Sequence, residues 1–122
     1  MLLLKQAPQA GSADETGRAR VLACAACLAA VTTTDARIEV GGQHEHSFVN
    51  PHGYTYRIGC FASAPGCAGD GPSSTFWTWF PGYAWQIAYC ARCGEHLGWV
   101  FRSEAHRFLG LILDRLTEVG EA

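Results

Sequence analysis

Trp79-Phe80-Pro81-Gly82-Tyr83-Ala84-Trp85-Gln86-Ile87-Ala88-Tyr89-Cys90-Ala91-Arg92-Cys93 packs a turn, a strand and a metal-binding knuckle into fifteen residues. Proline presets its φ and glycine accepts a positive one, so Phe80-Pro81-Gly82-Tyr83 reads as a rigid turn between Trp79 and Trp85. After the turn, alternation puts Trp85, Ile87 and Tyr89 on one side of a strand. Cys90-Ala91-Arg92-Cys93 then offers two sulfurs to one tetrahedral ion. Beyond it, Leu97, Trp99 and Phe101 alternate in the same way, which predicts a second strand with a line of apolar and aromatic side chains.

Working outward, further short segments rich in β-branched and aromatic residues predict strands at Arg37 to Val40, Ser47 to Val49 and Tyr54 to Cys60. Asn50-Pro51-His52-Gly53, Ala64-Pro65-Gly66 and Gly69-Asp70-Gly71-Pro72 read as chain reversals. The fold class expected is mainly antiparallel β. The last segment is open: Phe108, Ile112, Leu116 and Val119 fit helical spacing, while the apolar run from Phe108 to Leu113 suits a buried strand. Residues 1–20 lack apolar periodicity and are expected to form a loose tail, with one folded domain over 21–122.

At 122 residues the chain fits one domain with one modest core. Nine basic against eleven acidic residues, with no basic block, argue against nucleic acid as a partner. The opening Met1-Leu2-Leu3-Leu4-Lys5 is too short for a secretion signal, and no apolar run approaches a membrane span. We therefore expect a cytoplasmic protein with no membrane partner.

Paired C-x-x-C spacing without a secretion signal points to thiolates on a metal rather than to disulfides. Cys24, Cys27, Cys90 and Cys93 are the expected ligands of one structural zinc ion, since four thiolates leave no open position for a catalytic water. The competing reading is a redox dithiol. Sixty-two residues separate Cys27 from Cys90, so the metal would tie the start of the domain to the late hairpin. Cys60 and Cys67 lack the spacing and are expected to be ordinary buried or loop thiols. His44, His46, His52, His96 and His106 show no pairing with a carboxylate or serine that suggests nucleophilic catalysis. His44 and His46 read as a solvated loop pair rather than a metal site. Arg57, Arg92 and Arg102 read as solvent-facing charges.

All four tryptophans fall between positions 77 and 99. Tryptophans at strand spacing are usually plain core, but the turn at Pro81-Gly82 stages Trp79 and Trp85 toward a third ring on the next strand. No carboxylate lies between positions 76 and 89, which favours an uncharged flat ligand over a methylammonium group.

These motifs carry a specific resemblance. Trp79 to Trp85, Cys90-Ala91-Arg92-Cys93 and His96-Leu97-Gly98-Trp99-Val100-Phe101, with Asn50-Pro51-His52-Gly53-Tyr54 and Phe108-Leu109-Gly110-Leu111, resemble the thalidomide-binding (CULT) domain of the cereblon family over about residues 21–115. The resemblance implies a stand-alone, bacterial-type form of that domain: two antiparallel sheets meeting at an angle (a β-tent), pinned by zinc, with the last apolar segment a strand. It implies that Trp79, Trp85 and Trp99 wall a pocket floored by Phe101. A cyclic imide such as glutarimide would sit there with its edge on backbone groups of Trp77 and Trp79, and its outward part against Asn50 and Pro51. Uracil nucleosides and the C-terminal cyclic imide of a damaged protein present the same edge. Where animal cereblon has a histidine beside the imide, this chain has Trp77, and it has no room for the region that docks a ubiquitin-ligase adaptor.

Cys90 to Gly98 with Phe101 is also similar to the zinc knuckle of methionine sulfoxide reductase B. That enzyme needs a nucleophilic cysteine where this chain has Leu109, so the resemblance implies shared ancestry without catalysis.

Overall fold

The computed structural model describes residues 18–122. The expected tail over 1–20 therefore lies outside the described residues except for its last three positions, of which Arg20 already opens a strand. The chain runs through β1 (Arg20–Cys24), β2 (Ala30–Thr33), β3 (Glu45–Val49), β4 (Thr55–Phe61), β5 (Cys67–Ser74), β6 (Ala84–Cys90), β7 (His96–Arg102), β8 (Arg107–Ile112) and β9 (Leu116–Glu121). They form a small sheet in the order β2-β1-β9 and a large one in the order β3-β4-β8-β7-β6-β5, with every pairing antiparallel. The expectation of a mainly β chain in two antiparallel sheets holds.

The turn at Pro81-Gly82 closes as read, with the Tyr83 N–H donating to the Phe80 carbonyl at 3.0 Å. Other expectations need correction. Arg37 to Val40 is not a strand: only isolated bridges join Arg37 to Phe61 and Val40 to Gln43, because Gly41-Gly42 turns the chain back at once. Gly69-Asp70-Gly71-Pro72 does not reverse the chain but lies inside β5, an edge strand. There the register slips between Asp70 and Ser74, and this irregularity accommodates a proline that cannot donate to a ladder. The final segment is β8, a single turn of 3-10 helix at Leu113–Arg115, and β9, with no α-helix.

The run Phe108-Leu109-Gly110-Leu111-Ile112 is continuously apolar because both faces of β8 are buried. Leu109 and Leu111 pack with Leu22, Cys24 and Val31 of the small sheet, together with Phe61, Leu97 and Val100, in a core between the two sheets. Phe108 and Ile112 pack with Ile58, Cys60, Phe80 and Phe101 in a second core on the opposite face of the large sheet. Each fully buried phenylalanine there contributes roughly 1.5 to 3 kcal/mol.

The alternation read for Leu97, Trp99 and Phe101 fails at its first member. The register of β6 against β7 shifts between Ala88 and Tyr89, pairing Ala88 with Gly98 but Tyr89 with His96, so Leu97 is the extra residue of a bulge. Leu97 accordingly joins the core between the sheets, while Trp99 and Phe101 face the other way. At the bulge the strands approach closely: a Cβ on Gly98 would lie 2.0 Å from the Gly110 carbonyl oxygen. Gly98→Ala should therefore lower stability by about 1 to 3 kcal/mol or prevent folding, read as a fall in the urea midpoint.

Candidate metal centre and aromatic cavity

The β1–β2 and β6–β7 connections are two copies of one knuckle. In the first, the Leu28 N–H donates to the Cys24 carbonyl at 2.7 Å and the Cys24 N–H to the Ala29 carbonyl at 2.9 Å. In the second, the Gly94 N–H donates to the Cys90 carbonyl at 2.9 Å and the Cys90 N–H to the Glu95 carbonyl at 2.8 Å. Leu28 and Gly94 both have positive φ, at 66° and 81°. The turn needs that conformation, which costs a non-glycine residue about 1 to 2 kcal/mol.

The two knuckles bring their four sulfurs within 4.8 Å of one another. Cys24 Sγ lies 3.7 Å from Cys93 Sγ, and Cys27 Sγ lies 3.7 Å from Cys90 Sγ. Those separations are far too long for disulfides and match the roughly 3.8 Å edge of a sulfur tetrahedron around an ion with 2.3 Å bonds. The cluster can hold one metal ion, and it joins the small sheet to the large one. Gly66 reinforces the joint, its N–H donating to the Val31 carbonyl at 3.0 Å and its carbonyl accepting from the Ala91 N–H at 2.8 Å.

The other two thiols take no part in the tetrahedron. Burial pushes both Cys60 and Cys67 up to about 12, which keeps them protonated and unreactive. His44 and His46 are not the solvated pair expected. Both are half-buried, His44 Nδ1 lying 3.1 Å from the Ile38 carbonyl and His46 Nε2 3.0 Å from that of Val40. Arg57, Arg92 and Arg102 are exposed as expected, Arg57 bridging Glu45 and Asp114.

On the second core's face, a cavity of about 420 Å³ opens to solvent, lined by Asn50, Pro51, Trp77, Trp79, Trp85, Trp99 and Phe101. Those are the seven residues singled out in the sequence. His52, Tyr56, Ile87 and His96 also line it, and the sequence reading did not place them there. Ile87 had a signal, since it shares the alternating face of Trp85. His96 had none, because only the bulge turns it to this side.

The walls are set by ring packing. Trp79 meets Trp99 edge-on, with centroids 4.8 Å apart at 74°, and Phe48 stacks behind Trp79 at 4.9 Å. Tyr56 and His96 each stand edge-on to Trp99, at 5.3 Å and 4.9 Å. Trp85 Nε1–H donates to the Phe76 carbonyl at 2.7 Å, which anchors the loop carrying Trp77 and Trp79 to the opposite wall. Trp77 has a φ of 60° and is 62% exposed. Among the described residues, the backbone N–H and C=O groups of Trp77 and Trp79 have no hydrogen-bond partner. The Asn50 Oδ1 accepts from the N–H groups of His52 and Tyr54, both at 2.9 Å, so its free polar group is the Nδ2 donor.

No family model matches this sequence. Among curated proteins, the chain is 47% identical to cereblon of Gallus gallus over 55 residues, covering 45% of this chain and 12% of that protein. Cereblon of Danio rerio is 46% identical over 55 residues, covering 45% and 13%. Cereblon of Drosophila melanogaster is 40% identical over 62 residues, covering 46% and 10%. The matches support the cereblon family. This chain thus corresponds to only a small part of the cereblons it resembles, and a relationship to them agrees with the aromatic cluster around the cavity. Among the described residues, no helix is long and apolar enough to cross a membrane.

The knuckles generate two predictions. Native mass spectrometry should find one metal ion per chain, and Cys90→Ser should lose that ion together with cooperative thermal unfolding; a fully folded, metal-loaded Cys90→Ser protein would refute the four-sulfur staple. Leu28→Gly should relieve the left-handed strain and raise stability by up to about 1 kcal/mol, whereas Gly94→Ala should lower it by a similar amount.

Proposed function

We propose that this chain is a non-catalytic binding domain for cyclic imides, a cereblon-type CULT domain. The observation that carries the reading is the pairing of flat indole walls with unpartnered backbone groups at Trp77 and Trp79. A cyclic imide presents acceptor, donor and acceptor along one edge, and burying them without partners would cost about 1 to 3 kcal/mol each. The free carbonyls and N–H groups of this loop supply the complement. Trp79, Trp85 and Trp99 sandwich the ring, Phe101 closes the floor, and Asn50 Nδ2 and Pro51 meet whatever projects outward. The left-handed backbone at Trp77 supports the same reading, since such strain collects where a loop must present its amides to a ligand.

Glutarimide-type compounds, uracil nucleosides and imide-terminated peptides share the required edge. The ion in the four-cysteine cluster is zinc on this reading, because four thiolates in a closed tetrahedron are its usual structural setting. It would hold the scaffold and supply no chemistry to the ligand. The neighbouring Leu109, 2% exposed within the core between the sheets, weighs against a sulfoxide reductase, whose nucleophilic thiol would have to stand there. Six free cysteines suit a reducing, cytoplasmic compartment.

A titration followed by tryptophan fluorescence tests the proposal. Glutarimide should quench saturably and its N-methyl derivative should not, since methylation removes the donor read by the loop. Trp79→Ala, Trp85→Ala and Trp99→Ala should each weaken binding by about 100-fold or more with metal content unchanged. Equal binding of the N-methyl compound would overturn the imide reading.

A further inference from the structure

His96 lines the cavity, yet the imide reading gives it no task. Its ring is firmly placed. The bulge at Leu97 turns it toward the cage, and the Arg115 guanidinium donates to its backbone carbonyl at 2.7 Å. The ring stands edge-on to Trp99, at 88°. Its Nε2 lies 3.0 Å from the Gly98 carbonyl, which can only accept, so Nε2 carries the proton. Gly98 lies in the paired strand β7, opposite Ala88 and Leu111.

In that tautomer Nδ1 is a bare acceptor. No protein donor reaches it, and it is not sealed away from solvent. Burial disfavours the imidazolium and holds the His96 pKa below its ordinary value; the bond to Gly98 and the Glu95 charge oppose this, and the Arg115 charge adds to it. The rest of the wall is less committed. Indole faces do not discriminate polar groups, Asn50 offers a donor, and the His52 ring and the Tyr56 hydroxyl can each donate or accept, whereas the bond to Gly98 fixes His96 Nδ1 as an acceptor.

We propose that His96 is a specificity-determining residue of the cavity, its Nδ1 accepting a hydrogen bond from a second donor on the ligand, outside the imide edge. The preferred ligands are cyclic imides that carry an exocyclic amide N–H or hydroxyl. The inference rests on the imide reading. Its physical basis is asymmetric: a desolvated acceptor left without a partner penalises the ligand that lacks the donor, far more than an apolar wall penalises any ligand.

The test compares 3-acetamidoglutarimide with its N-methylacetamido counterpart, which keeps the imide edge and loses the exocyclic N–H. The 122-residue protein should bind the first about tenfold more tightly. In His96→Phe, which keeps a ring and removes the acceptor, the difference should collapse to within about twofold. His96→Gln, with a carbonyl acceptor in its place, should retain part of it, and metal content and circular dichroism should be unchanged in both variants. Should the Phe variant not fold, the wild-type preference and the Gln variant still decide. If unsubstituted glutarimide binds but the two probes do not differ, or if the preference survives in His96→Phe, the role assigned to His96 is wrong and the imide reading stands. If none of the three compounds binds, the imide reading itself falls and takes this inference with it.

Discussion

Four sulfur atoms from two hairpins meet where the two sheets of this protein come together. Cys24 and Cys27 belong to the turn that joins the strands of the small sheet, and Cys90 and Cys93 to the turn between β6 and β7 of the large one. Neither hairpin can move without pulling the sulfurs apart, and β7, which carries Trp99 and Phe101, starts just beyond the second knuckle. A metal at this point would fix the origin of the cage wall as well as the contact between sheets. The backbone links through Gly66 and the Arg115 bond to His96 run alongside the cluster and brace the same corner.

The central strand β8 of the large sheet is buried on both faces, and a single inserted residue in the neighbouring β7 keeps both cores filled. Without the bulge at Leu97, the residue before Gly98 would face the same way as Trp99, and the cavity would gain a leucine while the core between the sheets lost one. With the bulge, Leu97 fills that core and His96 turns toward the tryptophans. The cage is thus the solvent-facing margin of the second hydrophobic core. Phe101, 1% exposed, serves both as core and as floor. Rigid walls follow from that shared packing, which spares a ligand the cost of ordering them.

Against those walls lies a loop with the opposite character. Between Thr75 and Phe80 the chain makes few internal hydrogen bonds, holds Trp77 in a left-handed conformation and is tied to the cage through Trp85. An apolar wall that gives affinity and a backbone edge that gives selectivity are different physical devices. In this protein Trp85 and Trp99 stand on ordered strands, whereas Trp79 shares a short loop with the unpartnered amides.

Much of this was legible in the residues. The paired cysteine spacing named the four sulfurs and the turn at Pro81-Gly82 announced its geometry, because each signal is local and depends on chain geometry over a few residues, whereas Asn50, Pro51, Trp77 and Phe101 were assigned to a pocket only through the family resemblance. The strands hardest to read were those whose partners set them. β1, β2 and β9 are short and pair only with one another, and β5 contains Gly69-Asp70-Gly71-Pro72, whose turn-forming residues are taken up as an irregularity between Asp70 and Ser74 in its pairing with β6. The segment after Phe108 fitted helix and strand alike until two cores claimed its alternate sides. So the sequence by itself determined the four clustered sulfurs, the turn and the aromatic inventory. Only the tertiary structure decided which side of a strand each residue faces, since a one-residue bulge inverts that assignment and leaves no mark in local composition.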